Sequence, residues 1–97
     1  MDRLHLSRTA RADLESIWDF IGIERETPEA ATLQVERIYD TFLLIVENPQ
    51  IGEACDVLRT GMRFFTCGSY VVFYVPSADT IEIERVAHGA QRVEDLF

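Results

Sequence analysis

The apolar residues of this chain change their spacing once, near Asn48-Pro49, and that change limits the folds open to it. Ala10, Leu14, Ile17, Trp18 and Ile21 recur at helical spacing, with Arg11, Asp13, Glu15 and Asp19 mostly opposite. Ala31, Val35, Ile38, Phe42 and Ile45 form a second stripe, running to about Glu47. After the proline the period is two. Arg63 to Cys67 and Tyr70 to Val75 read as strands split by Gly68-Ser69, a hairpin signal. Thr80 to Val86 alternates as a third strand, broken at His88-Gly89, and Gln91 to Phe97 is a short tail.

The punctuation agrees with that division. Leu4 and Leu6 alternate with Arg3 and His5, a short opening strand. Ser7 is placed as an N-cap, and Gly22 ends or loosens the first helix. Thr27-Pro28 restarts a helix, since a proline at the first helical position forfeits no hydrogen bond. Asn48 is pushed out of helical geometry by Pro49. Two amphipathic helices need an apolar surface to cover, and the sheet supplies it. The expected class is α+β: an N-terminal strand, then a helical hairpin packed on a mostly antiparallel sheet, in the order β-α-α-β-β-β. The 97 residues are read as one domain spanning 1–97. The Tyr70–Val75 strand is apolar on both faces and belongs centrally, with Tyr70 and Tyr74 packing as core. Trp18 is expected to be the largest core contributor of its helix, so truncation to Ala should cost about 3–5 kcal/mol.

Charge narrows the function. Seventeen acids face nine bases, every base is Arg, and the net charge is −8. No lysine ammonium is available as acid, base or phosphate clamp. From Asp13 to Glu53 ten acids meet only Arg25 and Arg37, so the excess sits on the helical segment. That charge opposes free nucleic acid, whose affinity rests largely on cation–phosphate contacts. No apolar stretch reaches the ~18 residues needed to span a bilayer. No export signal is read in the opening residues, so a cytoplasmic location is expected. Cys55 and Cys67 form no CxxC pair and are expected as reduced thiols. No metal or other cofactor is implied.

Leu6-Ser7-Arg8-Thr9-Ala10, Asp13-Leu14, Ile17-Trp18, Asn48-Pro49, Gly61 with Arg63, Gly68-Ser69-Tyr70-Val71-Val72-Phe73-Tyr74 and Arg85-Val86-Ala87-His88-Gly89 together resemble the ParE branch of the RelE/ParE toxin superfamily. The resemblance covers nearly the whole chain. It implies the toxin of a type II toxin–antitoxin system, directed at DNA gyrase (A subunit) and neutralised by a ParD-like antitoxin in a hetero-oligomer. The superfamily also contains ribosome-dependent messenger-RNA endoribonucleases. The positions that carry Lys or Arg on the middle strands of that branch fall here on Met62, Phe64 and Val71, and its basic position after the last strand falls near Gly89. Apolar groups cannot stabilise the charge that develops on a phosphorane, so an inhibitor rather than an enzyme is expected. The alternatives are a RelE-like nuclease with relocated groups, and an inactive toxin-like binding module. The chain departs from the ParE pattern at Ala90-Gln91-Arg92, where an Arg-Arg-Asp-like stretch is common, and at Val75, where an arginine often follows the tyrosine.

No residue is assigned to catalysis. His88, Arg63 and Arg85 are the candidates an enzymatic reading would need, although a lone histidine is more often structural. Arg63, Arg85 and Arg92 either converge into a cationic patch or each pair with acids such as Glu82, Glu84, Glu94 and Asp95. Leu33, Leu43, Leu44 and Val46 fall off the main stripe of the second helix and, with Trp18, are the expected antitoxin surface. Because the family's toxic determinants lie near the C-terminal strand and tail, Arg85, His88, Arg92, Leu96 and Phe97 are the expected target-binding residues.

Overall fold

Ser7 starts the first helix as its sequence suggests. Its hydroxyl accepts from the Ala10 N–H at 2.9 Å and its own N–H donates to Ile83 O, which ties the cap to the sheet. In the computed structural model, which describes residues 3–97, strand β1 is Leu4–Leu6 and helix α1 is Arg8–Asp19. Met1 and Asp2, part of the stretch read for an export signal, lie outside the described residues. Gly22 does loosen the helix. The chain passes into a π-helical turn over Phe20–Glu24 and reverses at Glu26, whose φ is 54°. A Cβ at Gly22 would come within 2.9 Å of the Trp18 ring, so glycine is needed where the turn meets the indole.

Helix α2 runs Pro28–Glu47 with Pro28 in its first turn. Thr27 does not cap it through its side chain, because that hydroxyl donates instead to Ile21 O at 2.8 Å and closes the preceding turn. Asn48 ends the helix as expected. Strand β2, Glu53–Ala54, was not expected from sequence; two residues are too few to show an alternation. Strands β3 (Arg63–Cys67), β4 (Tyr70–Pro76) and β5 (Ile81–His88) follow, then a 3₁₀ turn at Val93–Asp95. The β3–β4 turn has positive φ only at Gly68 (59°), the first of its two central residues, where a two-residue hairpin can require glycine.

The five-stranded sheet has the order β1-β5-β4-β3-β2 and is antiparallel except for the parallel β1–β5 pair. Strand β4 is central, as its doubly apolar pattern requires. The helices cover one face, where Ala10, Leu14, Ile17, Ile38, Phe42 and Ile45 meet Val72, Tyr74, Ile81, Ile83 and Val86. Tyr74 is fully buried there and Tyr70 packs at the margin. A register irregularity at Phe73/Tyr74 pairs Phe73 with Arg85 but Tyr74 with Ile83. The residue it inserts, Glu84, lets Ile83 and Val86 both face the helices although they are three apart. The second face has its own small core of Met62, Phe73 and Ala87. It is covered not by helices but by the segment before β3, through Leu58, and by the tail, through Leu96, with Phe64 of β3 packed beside them.

Two expectations need correction. Trp18 is only half-buried and stands outside the core, because its ring lies over Gly22 on the outer side of the hairpin, whereas Leu14 and Ile17 point at the sheet. Trp18→Ala should therefore cost about 2 kcal/mol rather than a full core truncation, a difference that urea unfolding resolves. Val46 is half-buried against the helix-side core, so it does not belong to an exposed apolar surface. No helix among the described residues is long and apolar enough to cross a membrane.

Candidate functional site

The face of the sheet away from the helices carries a cleft of about 320 Å³. Its walls include Leu58, Phe64, Val71, Phe73, Ala87 and Leu96, with His88 and Gly89 at one end. Strand parity produces this lining, since Phe64 on β3 lies opposite Phe73 on β4, and Val71 opposite Ala87 on β5. The Phe64 and Phe73 rings stand 6.3 Å apart, and Phe97 meets Phe73 edge-on at 5.2 Å. Phe64 and Val71, two positions that the resemblance sets against cations of an RNA-cutting branch, line the cleft as hydrocarbon. The third, Met62, is fully buried beneath it.

The three arginines do not converge into a patch. Arg63 donates through Nε to Gly52 O at 2.9 Å and through Nη2 to Gln50 O at 3.2 Å, bracing the loop after α2. Arg92 is exposed, with its nearest carboxylate, Glu94, at 3.4 Å. Arg85 is held in a fork by Asp13, Nε to Oδ2 and Nη2 to Oδ1, both at 2.9 Å. Its remaining nitrogen, Nη1, donates to Leu96 O at 2.8 Å, tying the tail to β5. The hydrogen bond to Asp13 raises the Arg85 pKa against the opposing effect of burial. Each arginine thus has its own partners, but pairing with one of the acids named, Glu94, is found for Arg92 alone. The partners of Arg63 and Arg85 differ from the acids named, being backbone carbonyls and Asp13.

His88 is exposed, and its imidazole meets the Tyr70 ring edge-on at 5.5 Å. Nδ1 accepts from the Ala90 N–H at 3.0 Å, which places the proton of the neutral ring on Nε2. Its backbone N–H is capped by Gln91 Oε1. These bonds shape the turn out of β5, and no carboxylate or cation orients the ring for proton transfer among the described residues. The Cys55 thiol, also at the cleft, is pushed up in pKa first by burial and then by Asp56, which disfavours the reactive thiolate. No group of three or more His, Cys, Asp or Glu that could hold a metal ion occurs among the described residues.

A titratable pair lies on β5 outside the cleft. Burial, then hydrogen bonding with Glu82, raises the Glu84 pKa, although Arg59 Nη1 approaches Glu84 Oε1 at 2.8 Å. Glu84 Oε2 is buried with no partner, so a proton there lets Glu84 donate to Glu82, whose own pKa is lowered chiefly by that bond. A carboxyl group with a raised folded-state pKa contributes stability below its ordinary pKa and loses it as pH rises through the raised value. Ionised Glu84 is therefore unfavourable at neutral pH. Glu84→Gln keeps an acceptor for Arg59 and a donor for Glu82. It should raise the melting temperature at pH 7, and the gain should vanish below the ordinary carboxylate pKa; melts across that range check it.

The exposed aliphatics of α2 do not form one surface. Leu33 (48% exposed) and Leu44 (41%) are eleven residues apart and share one flank, while Leu43 (57%) lies about 100° around the helix from Leu44. Leu43 therefore shares its side of α2 with Tyr39. Sequence reasoning passed over Tyr39, Phe20 and Ile23, which are 41%, 50% and 62% exposed. Their exposure off the core stripes was the signal available.

Comparison with known proteins agrees with this architecture. Residues 4–93 match the family model described as ParE toxin of type II toxin-antitoxin system, parDE. The chain is 36% identical over 93 residues to Toxin ParE1 of Mycobacterium tuberculosis (strain ATCC 25618 / H37Rv), covering 95% of this chain and 94% of the relative. It is 38% identical over 92 residues to Toxin ParE1 of Caulobacter vibrioides, covering 91% and 90%. A solved structure described as the chromosomal ParDE TA system from P. aeruginosa superposes with a TM-score of 0.71 at 24% identity, covering 91% of this chain and 96% of that one, and so shares the fold. With the sequence pattern, the strand order and the relatives all in agreement, the chain belongs to the ParE toxin family of type II toxin–antitoxin systems.

Proposed function

We propose that this chain acts as a single-domain toxin that inhibits DNA gyrase through its A subunit, and that a ParD-like antitoxin neutralises it in a cytoplasmic hetero-oligomer. Membership of the ParE family supports the coarse reading. The observation that carries the finer one is the apolar cleft. Where RNA cleavage would need cations around a developing phosphorane, the walls are Phe64, Val71, Phe73 and Ala87. Harm done without bond-breaking chemistry is harm done by occupying another machine, and ParE toxins act as protein inhibitors.

The target-facing groups on this reading are His88, Arg92 and Phe97, which are exposed, with Leu96 half-buried beneath them. Arg85 serves as a positioning residue, since its guanidinium is already engaged by Asp13 and by the tail. The antitoxin surface is the hairpin, through Trp18 and Leu43 on one flank of α2 and Leu33 and Leu44 on the other.

Purified toxin added to gyrase is the direct test. The expected result is loss of supercoiling with accumulation of cleaved DNA. Unchanged supercoiling with no trapped cleavage would overturn the gyrase assignment. New 5′ ends on translated messages after induction would instead establish the nuclease alternative, and normal growth on expression without the antitoxin would establish the inactive binding module.

A further inference from the structure

The segment between β2 and β3 closes on itself. Where its ends meet, the Cys55 N–H donates to Met62 O at 2.9 Å. Inside the loop the Leu58 N–H donates to Cys55 O, the Met62 N–H to Arg59 O, and the Gly61 N–H to Asp56 Oδ1. Those bonds make residues 55–62 a single piece joined to the chain at its two ends. The piece forms one wall of the apolar cleft through Cys55, Val57 and Leu58. Val57 is 94% exposed, so the loop is not packed down along its whole length. Two side chains join it to the sheet face. Leu58 packs on the small core of Met62, Phe73 and Ala87, and Arg59 Nη1 donates to Glu84 Oε1 at 2.8 Å. The tail, at the other side of the cleft, is held at the next residue of β5, where Arg85 Nη1 donates to Leu96 O. Regular alternation would send Glu84 and Arg85 to opposite faces. The bulge turns Ile83 and Val86 to the helices and leaves both residues between them to serve the second face.

These two attachments differ in strength. Arg85 is 20% exposed and is gripped by Asp13 as well as by the tail, whereas the Arg59 side chain is 55% exposed. An ion pair with one such exposed partner contributes little. Glu84 Oε2 is buried without a partner, so the closed arrangement keeps a carboxylate partly dehydrated, a cost that lifting Arg59 away relieves. We propose that residues 55–62 are a flap over the cleft, latched by Arg59 on Glu84 and able to open while the sheet stays folded, with the tail as the fixed wall. Opening uncovers Phe73 and Ala87 and widens the cleft, and closure narrows it again over Leu58. The flap governs access to the cleft and stands whatever the cleft receives, so it does not depend on the gyrase reading.

The two cysteines supply the test. Cys55 lies at one end of the flap and lines the cleft, whereas Cys67 packs against the helix-side core. Both are labelled with N-ethylmaleimide in the folded protein at one fixed pH, and peptide mass spectrometry follows each separately. Arg59→Ala is expected to raise the rate at Cys55 by about fivefold with Cys67 unchanged. Losing a nearby cation disfavours the thiolate, so a faster reaction reports access and not charge. Glu84→Gln keeps an acceptor for Arg59 and removes the dehydrated charge, so its Cys55 should label no faster than that of the wild type. Leu58→Ala loosens the apolar anchor and should again speed Cys55 alone. An unchanged Cys55 rate in Arg59→Ala overturns the latch. Equal acceleration of both cysteines shows a loosened fold and overturns the flap. Acceleration in Glu84→Gln as large as in Arg59→Ala shows that this ion pair does not hold the loop, and overturns the latch as well.

Discussion

Asp13→Ala is expected to destabilise the fold by about 3 kcal/mol, because it leaves a strand amide without a partner and a largely buried guanidinium with only Leu96 O to receive it. Strand β1 pairs with β5 only over Ile81–Ile83, so the outer edge of β5 beyond Ile83 faces no strand. Asp13 reaches that edge from α1. Its Oδ2 accepts the Val86 N–H at 2.8 Å as well as Arg85 Nε, and the two side chains keep only 14% and 20% exposure. The carboxylate thus stands in for a missing strand and for a counter-ion together. For a domain near this size the loss corresponds to a fall in melting temperature on the order of 15 °C. The double variant Asp13→Ala/Arg85→Ala should lose less than the sum of the single variants, since it removes the stranded charge along with its partner. Because Arg85 also holds Leu96 O, Arg85→Ala should expose the tail to proteolysis sooner than it lowers the melt. A cost for Asp13→Ala below about 1 kcal/mol would show the pair to be an ordinary surface contact.

That pair also marks the limit of what the sequence reveals. The helices were legible because Leu14, Ile17, Ile38, Phe42 and Ile45 repeat at 3.6-residue spacing, and the hairpin because Gly68-Ser69 splits two β-branched and aromatic runs. Ser7 was legible because capping acts within one turn. Asp13 and Arg85 are 72 positions apart, and no local pattern links them. Sequence marked Arg85 as a candidate for chemistry, and only the parallel closure of β1 on β5 shows it spent on architecture. Strand β2 and the bulge at Glu84 escaped for a related reason. Both depend on where neighbouring strands fall, not on their own residues. Trp18 was misplaced by size alone, since a large ring does not say which side of a helix pair it will occupy. Phe64 and Val71 line the cleft because parity along a strand sends alternate residues to one face.

Gly52→Ala is the second large expected effect, and it tests whether Arg63 is a brace. A Cβ at Gly52 would stand 2.7 Å from Phe64 O and 2.7 Å from the Tyr74 hydroxyl oxygen, closer than carbon tolerates. Phe64 O belongs to β3 and cannot step aside as a flexible side chain would. The Tyr74 hydroxyl is fixed as well, donating to Pro49 O at 2.8 Å and accepting the Gly52 N–H at 2.9 Å. The Gly52 carbonyl in turn accepts Arg63 Nε at 2.9 Å. One added methyl therefore disturbs three hydrogen bonds of the loop that carries the chain from α2 into the sheet. Overpacking and the loosened bonds together should cost about 3 kcal/mol. Tyr74→Phe alone should cost about 1–2 kcal/mol, since it orphans Pro49 O and the Gly52 amide. Removing the hydroxyl removes one of the three close approaches, leaving Phe64 O and, at 2.8 Å, the Tyr74 ring carbon Cε1. It also removes two of the bonds the methyl would disturb, so Gly52→Ala/Tyr74→Phe should fall short of the sum, and a double-mutant cycle in urea measures the coupling. Strict additivity would mean that the loop moves away from Tyr74 without resistance. Arg63 would then not be bracing it, and its guanidinium would again be a candidate for contact with a target.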